Sequence, residues 1–216
     1  DNRRLDFLRY NGDLVVMTAI ILLAGGLFTA LTINLFSLID IHIEEFYFRN
    51  IAIWGLAAAP IVGTYLVQTN PQLVNKVSPV IAKIFTPFVL VTLVVYLVAV
   101  IYTGKDPYND REFLLIFNLL LVGVMAITFF SIAESSKSSG SKITTLMLFA
   151  LSIVTIIVNG IALSAIVFRI SEWGITPNRL AVLGSNILIL LNLLYMSYRL
   201  FKSVKDKNEI ENVGNS

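Results

Sequence analysis

Long apolar runs constrain this chain more than any other sequence feature. Six stretches carry few charges and reach the roughly 17–25 residues that a membrane-spanning helix needs. Only 14% of all residues are charged and 56% are hydrophobic, whereas soluble domains have about 25% charged residues. We therefore predict an all-α, polytopic membrane bundle with about six transmembrane helices. The predicted spans are residues 14–39, 51–67, 80–102, 113–133, 143–168 and 180–200.

The predicted spans form one transmembrane domain over residues 1–202. The polar, charged residues 203–216 are predicted to be a disordered tail. The glycine pair Gly25-Gly26 is the expected bend of the long first span. The second span is only just long enough, and Pro60 should kink it.

The basic residues are divided unevenly between the two sides of the predicted bundle. One side, which includes both termini, holds eleven Lys and Arg residues, and the other side holds five. Because cytoplasmic loops carry the excess of Lys and Arg, both termini are predicted to be cytoplasmic. The chain begins with Asp and nothing at its start reads as a signal peptide. We therefore expect a fragment or a processed form that lacks upstream spans.

The residue inventory argues against an enzyme. There is no cysteine, which excludes disulfides and thiolate metal sites. The single histidine, His42, cannot form a His-rich zinc site, and its His-Ile-Glu-Glu context lacks the second histidine of a zinc protease. No serine-hydrolase elbow or phosphate-binding glycine loop is present. We predict no catalytic residue, metal or cofactor, and the dispersed basic residues predict no nucleic-acid partner.

The most informative connector joins the last two spans, from Arg169 to Arg179. Thr176 can cap the following helix, and Pro177 suits the first turn of that helix. The connector between the first two spans lies on the same predicted outward side. Together these connectors form a candidate site or the mouth of a solute path. Polar loops with interfacial anchors are the favoured interpretation of the whole set, and only for Arg169, Glu172 and Arg179 are the two interpretations balanced. The candidate residues are Glu172, Trp173, Gly174, Thr176, Asn178, Arg179, Arg169, Glu44, Glu45 and Arg49.

Polar residues also recur inside the last two spans. Asn178, Ser185, Asn192 and Arg199 are spaced by seven residues, as are Thr145, Ser152 and Asn159. A spacing of seven is about two helical turns, so each set occupies one helix face. Membrane helices pack through small and hydrogen-bonding residues, and a polar conduit is the alternative. We predict that the set on the fifth span faces protein, together with Ser185 and Asn192 on the sixth. Asn159 is predicted to lie near the last helix, about level with Ile189. The intramembrane polar candidates are Asn159, Ser185, Asn186 and Asn192.

Four motifs carry a resemblance to a known family. They are Arg9-Tyr-Asn-Gly-Asp13, Phe46-Tyr-Phe-Arg-Asn-Ile-Ala-Ile-Trp-Gly55, Lys83-Ile-Phe-Thr-Pro-Phe-Val-Leu90 and Glu172-Trp-Gly-Ile-Thr-Pro-Asn-Arg179. With these motifs the chain resembles the second half of a bacterial family of polytopic membrane proteins, domain of unknown function 4153. That family usually has tyrosine where this chain has Trp173. The resemblance implies a multi-pass protein of the bacterial inner membrane with further N-terminal spans, and it implies no activity.

Two functional hypotheses follow from the sequence. The first is transport or solute binding through the outward connectors and the last two helices. The alternative is a non-catalytic membrane scaffold or sensor that binds a protein partner. The expected partners are the lipid bilayer and either a small solute or a membrane protein. A polar cavity reaching mid-membrane would favour the first hypothesis, and closely packed helices would favour the second.

Overall fold

The fold was described from a computed structural model, which covers residues 2–69, 77–104, 116–127 and 142–214. The covered residues form helices and short connections, with no β-strand among them. This confirms the predicted all-α class. In chain order the helices are α1 (Asn2–Ser37), α2 (Glu44–Thr69), α3 (Val77–Thr103), α4 (Ile116–Ile127), α5 (Lys142–Trp173) and α6 (Pro177–Gly214).

Five of these helices are long and apolar enough to cross a membrane. They are α1, α2, α3, α5 and α6, and their number makes the chain a multi-pass membrane protein. Helix α4 is shorter and apolar. It covers the middle of the predicted fourth span, and residues 113–115 and 128–133 of that span lie outside the described residues.

The contacts group the chain into two compact units, residues 1–81 and 82–216. In the first unit, α1 begins well before the predicted start at residue 14 and continues through Gly25-Gly26. It ends at Ser37, and Asp40 shortly after it is left-handed, with φ 58°. The amide of Asp40 donates to the Ser37 carbonyl and that of Ile41 donates to the Phe36 carbonyl. This is a Schellman arrangement, which pairs the last carbonyls of the helix.

Helix α2 is longer than the predicted second span, residues 51–67. The helix begins at Glu44 rather than at Ile51 and has 26 residues, so the span is not marginal in length. Glu44 and Glu45 occupy its first turn, where carboxylates stabilise the positive end of the helix dipole. A π-helical segment at Phe48–Ala52 follows, and Pro60 lies inside the continuing helix. The predicted span began later because charged residues interrupt the apolar run at residues 40–50, which were therefore predicted to be a polar link.

Helices α1 and α2 pack against each other along a small apolar core. Met17 and Ile21 from α1 contact Ala59 and Val67 from α2, and all four are buried. Gly63 is the point of closest approach. A methyl group built at Gly63 would lie 2.7 Å from Thr18 Oγ1 and 3.6 Å from Leu14 Cδ1. Glycine therefore sets how near the two helices can come.

The second unit contains an antiparallel hairpin of α5 and α6. Ala165 and Ile166 of α5 are buried against Val182 and Leu183 of α6. Phe149 lies near the start of α5 and contacts Phe201 far along α6, with ring centroids 5.9 Å apart. The hairpin confirms that the last two spans are antiparallel neighbours.

The length of α6 differs from the sequence-based expectation. The helix continues to Gly214, which includes residues that the sequence assigns to a disordered tail. Charged residues in this segment lower its hydropathy, but Lys, Glu and Asn do not by themselves prevent helix formation. The prediction of one transmembrane domain over residues 1–202 stays a prediction.

Candidate functional site

The connector of the α5–α6 hairpin is short, and its residues cap the end of α5 and the start of α6. Helix α5 ends at Trp173, and Gly174 follows with φ 75°, a left-handed conformation that glycine adopts without steric cost. The backbone amide of Arg179 donates to Thr176 Oγ1 over 3.3 Å. Thr176 is therefore the N-cap of α6 and Pro177 its first residue, as the sequence predicted.

Arg179 joins the two helices of the hairpin. Its Nη1 donates to the carbonyl oxygens of Trp173 and Gly174 over 2.9 Å and 2.7 Å. The last carbonyls of a helix have no partner inside that helix and carry its negative dipole end. A guanidinium placed there pairs these oxygens and balances their partial charge. The main contacts of Arg179 are thus structural.

Trp173 contacts two cations at the same end of the hairpin. The guanidinium carbons of Arg169 and Arg179 lie 5.9 Å and 5.8 Å from its ring centroid, within the range of cation–π attraction. Phe168 packs edge-on against the ring. Trp173 is 52% exposed, whereas Arg169 is buried. An exposed tryptophan braced at a helix end is typical of an anchor at the membrane–water interface.

Glu172 differs from its neighbours in the connector. Its side chain is exposed at the C-terminal turn of α5, where a carboxylate is unfavourable to the helix dipole. Its carboxylate accepts no hydrogen bond from a residue that the structure describes. Glu172 is therefore the one charge of the connector motif whose position the local structure does not explain.

The remaining outward candidates fall into two groups. Asn178 is exposed in the first turn of α6, next to the cap. Glu44, Glu45 and Arg49 belong to the first unit, at the start of α2. The structure therefore brings together the predicted residues of the hairpin connector within the second unit, and those of α2 belong to the first unit.

Three asparagines form a hydrogen-bonded network between α4, α5 and α6, and the member on α4, Asn118, is half-buried. Asn159 Nδ2 donates to the backbone oxygen of Asn186 over 3.2 Å. Asn186 Nδ2 donates to Asn118 Oδ1 over 2.7 Å and to the Val182 carbonyl over 3.1 Å. Asn159 and Asn186 are completely buried. Asn118 had no place among the predicted site residues, and its only signal was an amide within an apolar run.

The stripe on α5 is placed as the sequence predicted. Thr145, Ser152 and Asn159 are all buried, and Asn159 contacts α6. It lies level with Asn186 rather than Ile189, a difference of less than one helical turn. Ser152 Oγ donates to the carbonyl of Phe149 in its own helix. This hydroxyl therefore needs no water-filled path.

The stripe on α6 is placed differently from the prediction. Ser185 and Asn192 are exposed, and their side chains donate to carbonyls of their own helix, Val182 and Leu188. The buried seam of α6 has the same seven-residue spacing but starts one residue later, at Asn186, Leu193 and Leu200. One residue is a rotation of about 100° on a helix. We call Ser185, Asn192 and Arg199 the α6 polar flank.

Comparison with known proteins assigns this chain to no family. No family model, curated protein or solved structure matches this chain. The resemblance to domain of unknown function 4153 therefore stays a prediction, and the functional argument depends on the site alone.

The brace of Arg179 can be tested against Glu172 in the same motif. Arg179→Gln removes two charge-assisted hydrogen bonds at the end of α5, and we expect it to lower the free energy of unfolding by about 1 kcal/mol. Glu172→Gln removes an exposed carboxylate without a described partner, and we expect almost no change. SDS titration in mixed micelles measures the free energy of unfolding of both variants. Equal effects of the two substitutions would contradict the structural role of Arg179.

Proposed function

We propose that this protein is a non-catalytic, multi-pass membrane scaffold or sensor that binds a transmembrane helix of a membrane-protein partner. The observation that carries the proposal is the exposure of the α6 polar flank along an apolar helix. The connector motif is engaged in capping, and the polar face of α5 is engaged in helix packing. The α6 polar flank is a set of polar residues on the hairpin whose side chains are exposed.

Energetics favour a protein rather than lipid on this flank. The amide nitrogen of Asn192 is used by the Leu188 carbonyl, and this bond leaves the amide oxygen able to accept a hydrogen bond. Lipid chains cannot donate a hydrogen bond, so placing an amide oxygen against them costs free energy. A partner helix with a serine, threonine or asparagine at this depth supplies a donor. Gly184, beside Ser185, has nothing within 4 Å of a built methyl group and leaves room for close approach.

Site-specific photocrosslinking tests the proposed partner surface. A photoreactive amino acid at Leu188, beside Asn192 on the flank, is expected to give a crosslinked product in native membranes. The same probe at Leu194, which is also exposed but on the other side of the buried seam, is the matched control and should give none. Adding Asn192→Leu to the Leu188 probe should abolish the product.

The outcomes of this experiment are distinct. A product of twice the chain mass would identify a second copy as the partner. Equal products from Leu188 and Leu194, or a product unchanged by Asn192→Leu, would show contact without recognition of the amide and would contradict the proposal.

Transport or solute binding is the second candidate function. Two observations favour it: the exposed carboxylate of Glu172, and two buried amide oxygens of the asparagine network that lack a donor among the covered residues. A solute path along α5 requires water to reach the buried stripe, whereas a packed scaffold excludes water from it.

Thiol labelling distinguishes these functions and also tests the orientation. The chain contains no cysteine, so single cysteines report cleanly. In intact cells an impermeant reagent should label Ile175→Cys, in the outward connector, and should not label Lys202→Cys, on the cytoplasmic side. Ser152→Cys should resist the reagent even in opened membranes if the proposed scaffold is correct. Labelling of Ser152→Cys would support a path, and the reverse pattern at Ile175 and Lys202 would invert the orientation.

We also propose the inner membrane of a bacterium as the location. Support comes from the five apolar helices and from the family resemblance in the sequence.

A further inference from the structure

The asparagine network contains two acceptor atoms that lack a donor. They are the side-chain oxygens of Asn159 and Asn186, and both residues are completely buried. No described N–H or O–H group reaches either oxygen. In an apolar interior an amide oxygen without a donor costs free energy, and native interiors avoid this by pairing the group or by binding water.

The orientation of both amides is fixed by backbone carbonyls. The nitrogen of Asn159 faces the carbonyl oxygen of Asn186, and the nitrogen of Asn186 faces the carbonyl oxygen of Val182. Exchanging nitrogen and oxygen in either side chain would place two acceptors against each other. An amide flip therefore cannot satisfy these atoms, and whatever pairs them must supply hydrogen-bond donors.

The charge of the surroundings narrows the class of ligand. No Asp or Glu occurs in residues 116–127, in residues 142–171 or in residues 177–204, which include the three helix segments around the network. A bound cation would have no carboxylate to balance its charge in a low-dielectric interior, which is costly. Neutral O–H donors meet the requirement without that cost.

We propose that Asn159 and Asn186 bind a small neutral hydroxyl donor between α4, α5 and α6. A water molecule is its simplest form, since each O–H group of water can donate to an amide oxygen. The hydroxyl group of a small solute has the same chemistry. Asn118, bonded to Asn186, positions that amide from the side of α4. The site is independent of the partner surface on the α6 polar flank.

Solid-state NMR of the full chain in lipid bilayers tests this site. With ¹³C-labelled asparagine, magnetisation transferred from water protons is expected to reach the side-chain carbonyl carbons of Asn159 and Asn186. Asn192 is the matched control, because it lies on the exposed side of the same helix and should receive none. Single Asn→Gln variants, which retain an amide, assign the signals.

A second sample distinguishes the two sources of the hydroxyl group. In deuterated water with protonated glycerol, transfer from the glycerol C–H protons should be absent if water is the ligand. Transfer from glycerol at Asn159 and Asn186 would identify a hydroxylated solute as the occupant of the same site. If neither water nor glycerol transfers to these two carbons, while both carbons are visible through their own amide protons, the proposal is overturned.

Discussion

Replacing Gly63 with leucine is expected to separate α1 from α2 and to cause one of the two largest losses of stability of any single substitution considered for this chain. A methyl group at this position would lie 2.7 Å from Thr18 Oγ1, well inside contact distance. The Thr18 backbone nitrogen, 3.5 Å away, cannot move without moving α1. Overpacking of this kind costs about 1–3 kcal/mol, and leucine adds more volume than a methyl group.

Gly55 provides a control on the same helix. It lies in α2 and has nothing within 4 Å of a built methyl group. Gly55→Leu should therefore leave the free energy of unfolding in mixed micelles nearly unchanged, or raise it slightly through better helix propensity. A cysteine pair placed at Ile21 and Ala59, which share the buried core, should crosslink in the parent chain and fail to crosslink with Gly63→Leu. Equal unfolding energies for the two leucine variants would show that α1 and α2 do not depend on close approach at Gly63.

The helices were predictable because their length and composition are set by the membrane. Residues inside the hydrocarbon are mostly apolar, and their backbone N–H and C=O groups must form hydrogen bonds within the same helix. A long apolar run in the sequence therefore predicts a helical span directly. The helix starts were less predictable. Polar residues such as Glu44 and Arg49 lower the hydropathy of a segment but continue a helix readily, and this explains why α2 begins earlier than expected.

The hairpin connector was predictable because its rules are local. Gly174, Thr176 and Pro177 have the roles that their residue types favour at helix ends. The role of Arg179 was not predictable in the same way. An arginine near an interface can bind a ligand or pair helix carbonyls, and only the position of its guanidinium distinguishes the two.

The polar stripes show where sequence periodicity stops being informative. A seven-residue spacing establishes that residues share one face, but it does not state which face packs inward. On α5 the predicted stripe is the buried one, whereas on α6 the buried seam is displaced by one residue to Asn186. Asn118 was missed because its importance comes from a contact with Asn186, 68 residues further along the chain.

Asn186 is the residue through which three helices meet. Its side chain reaches Asn118 on α4, while its backbone oxygen accepts a hydrogen bond from Asn159 on α5. The second unit therefore depends on this position for one side-chain and one backbone link. In membranes each such hydrogen bond contributes about 0.6 kcal/mol on average and at most about 1.7 kcal/mol.

Asn186→Leu is expected to lower the free energy of unfolding by about 1–2 kcal/mol, because it leaves the half-buried Asn118 Oδ1 without its donor. Asn192→Leu is the matched control: the same replacement on the same helix removes an exposed amide bonded only within α6, and it should cost almost nothing in purified protein. SDS titration measures the free energy of unfolding of both variants.

The double variant Asn118→Leu/Asn186→Leu should recover part of the loss, since both members of the pair are then apolar. A loss for Asn192→Leu as large as that for Asn186→Leu would mean that the flank, and not the network, holds the helices together.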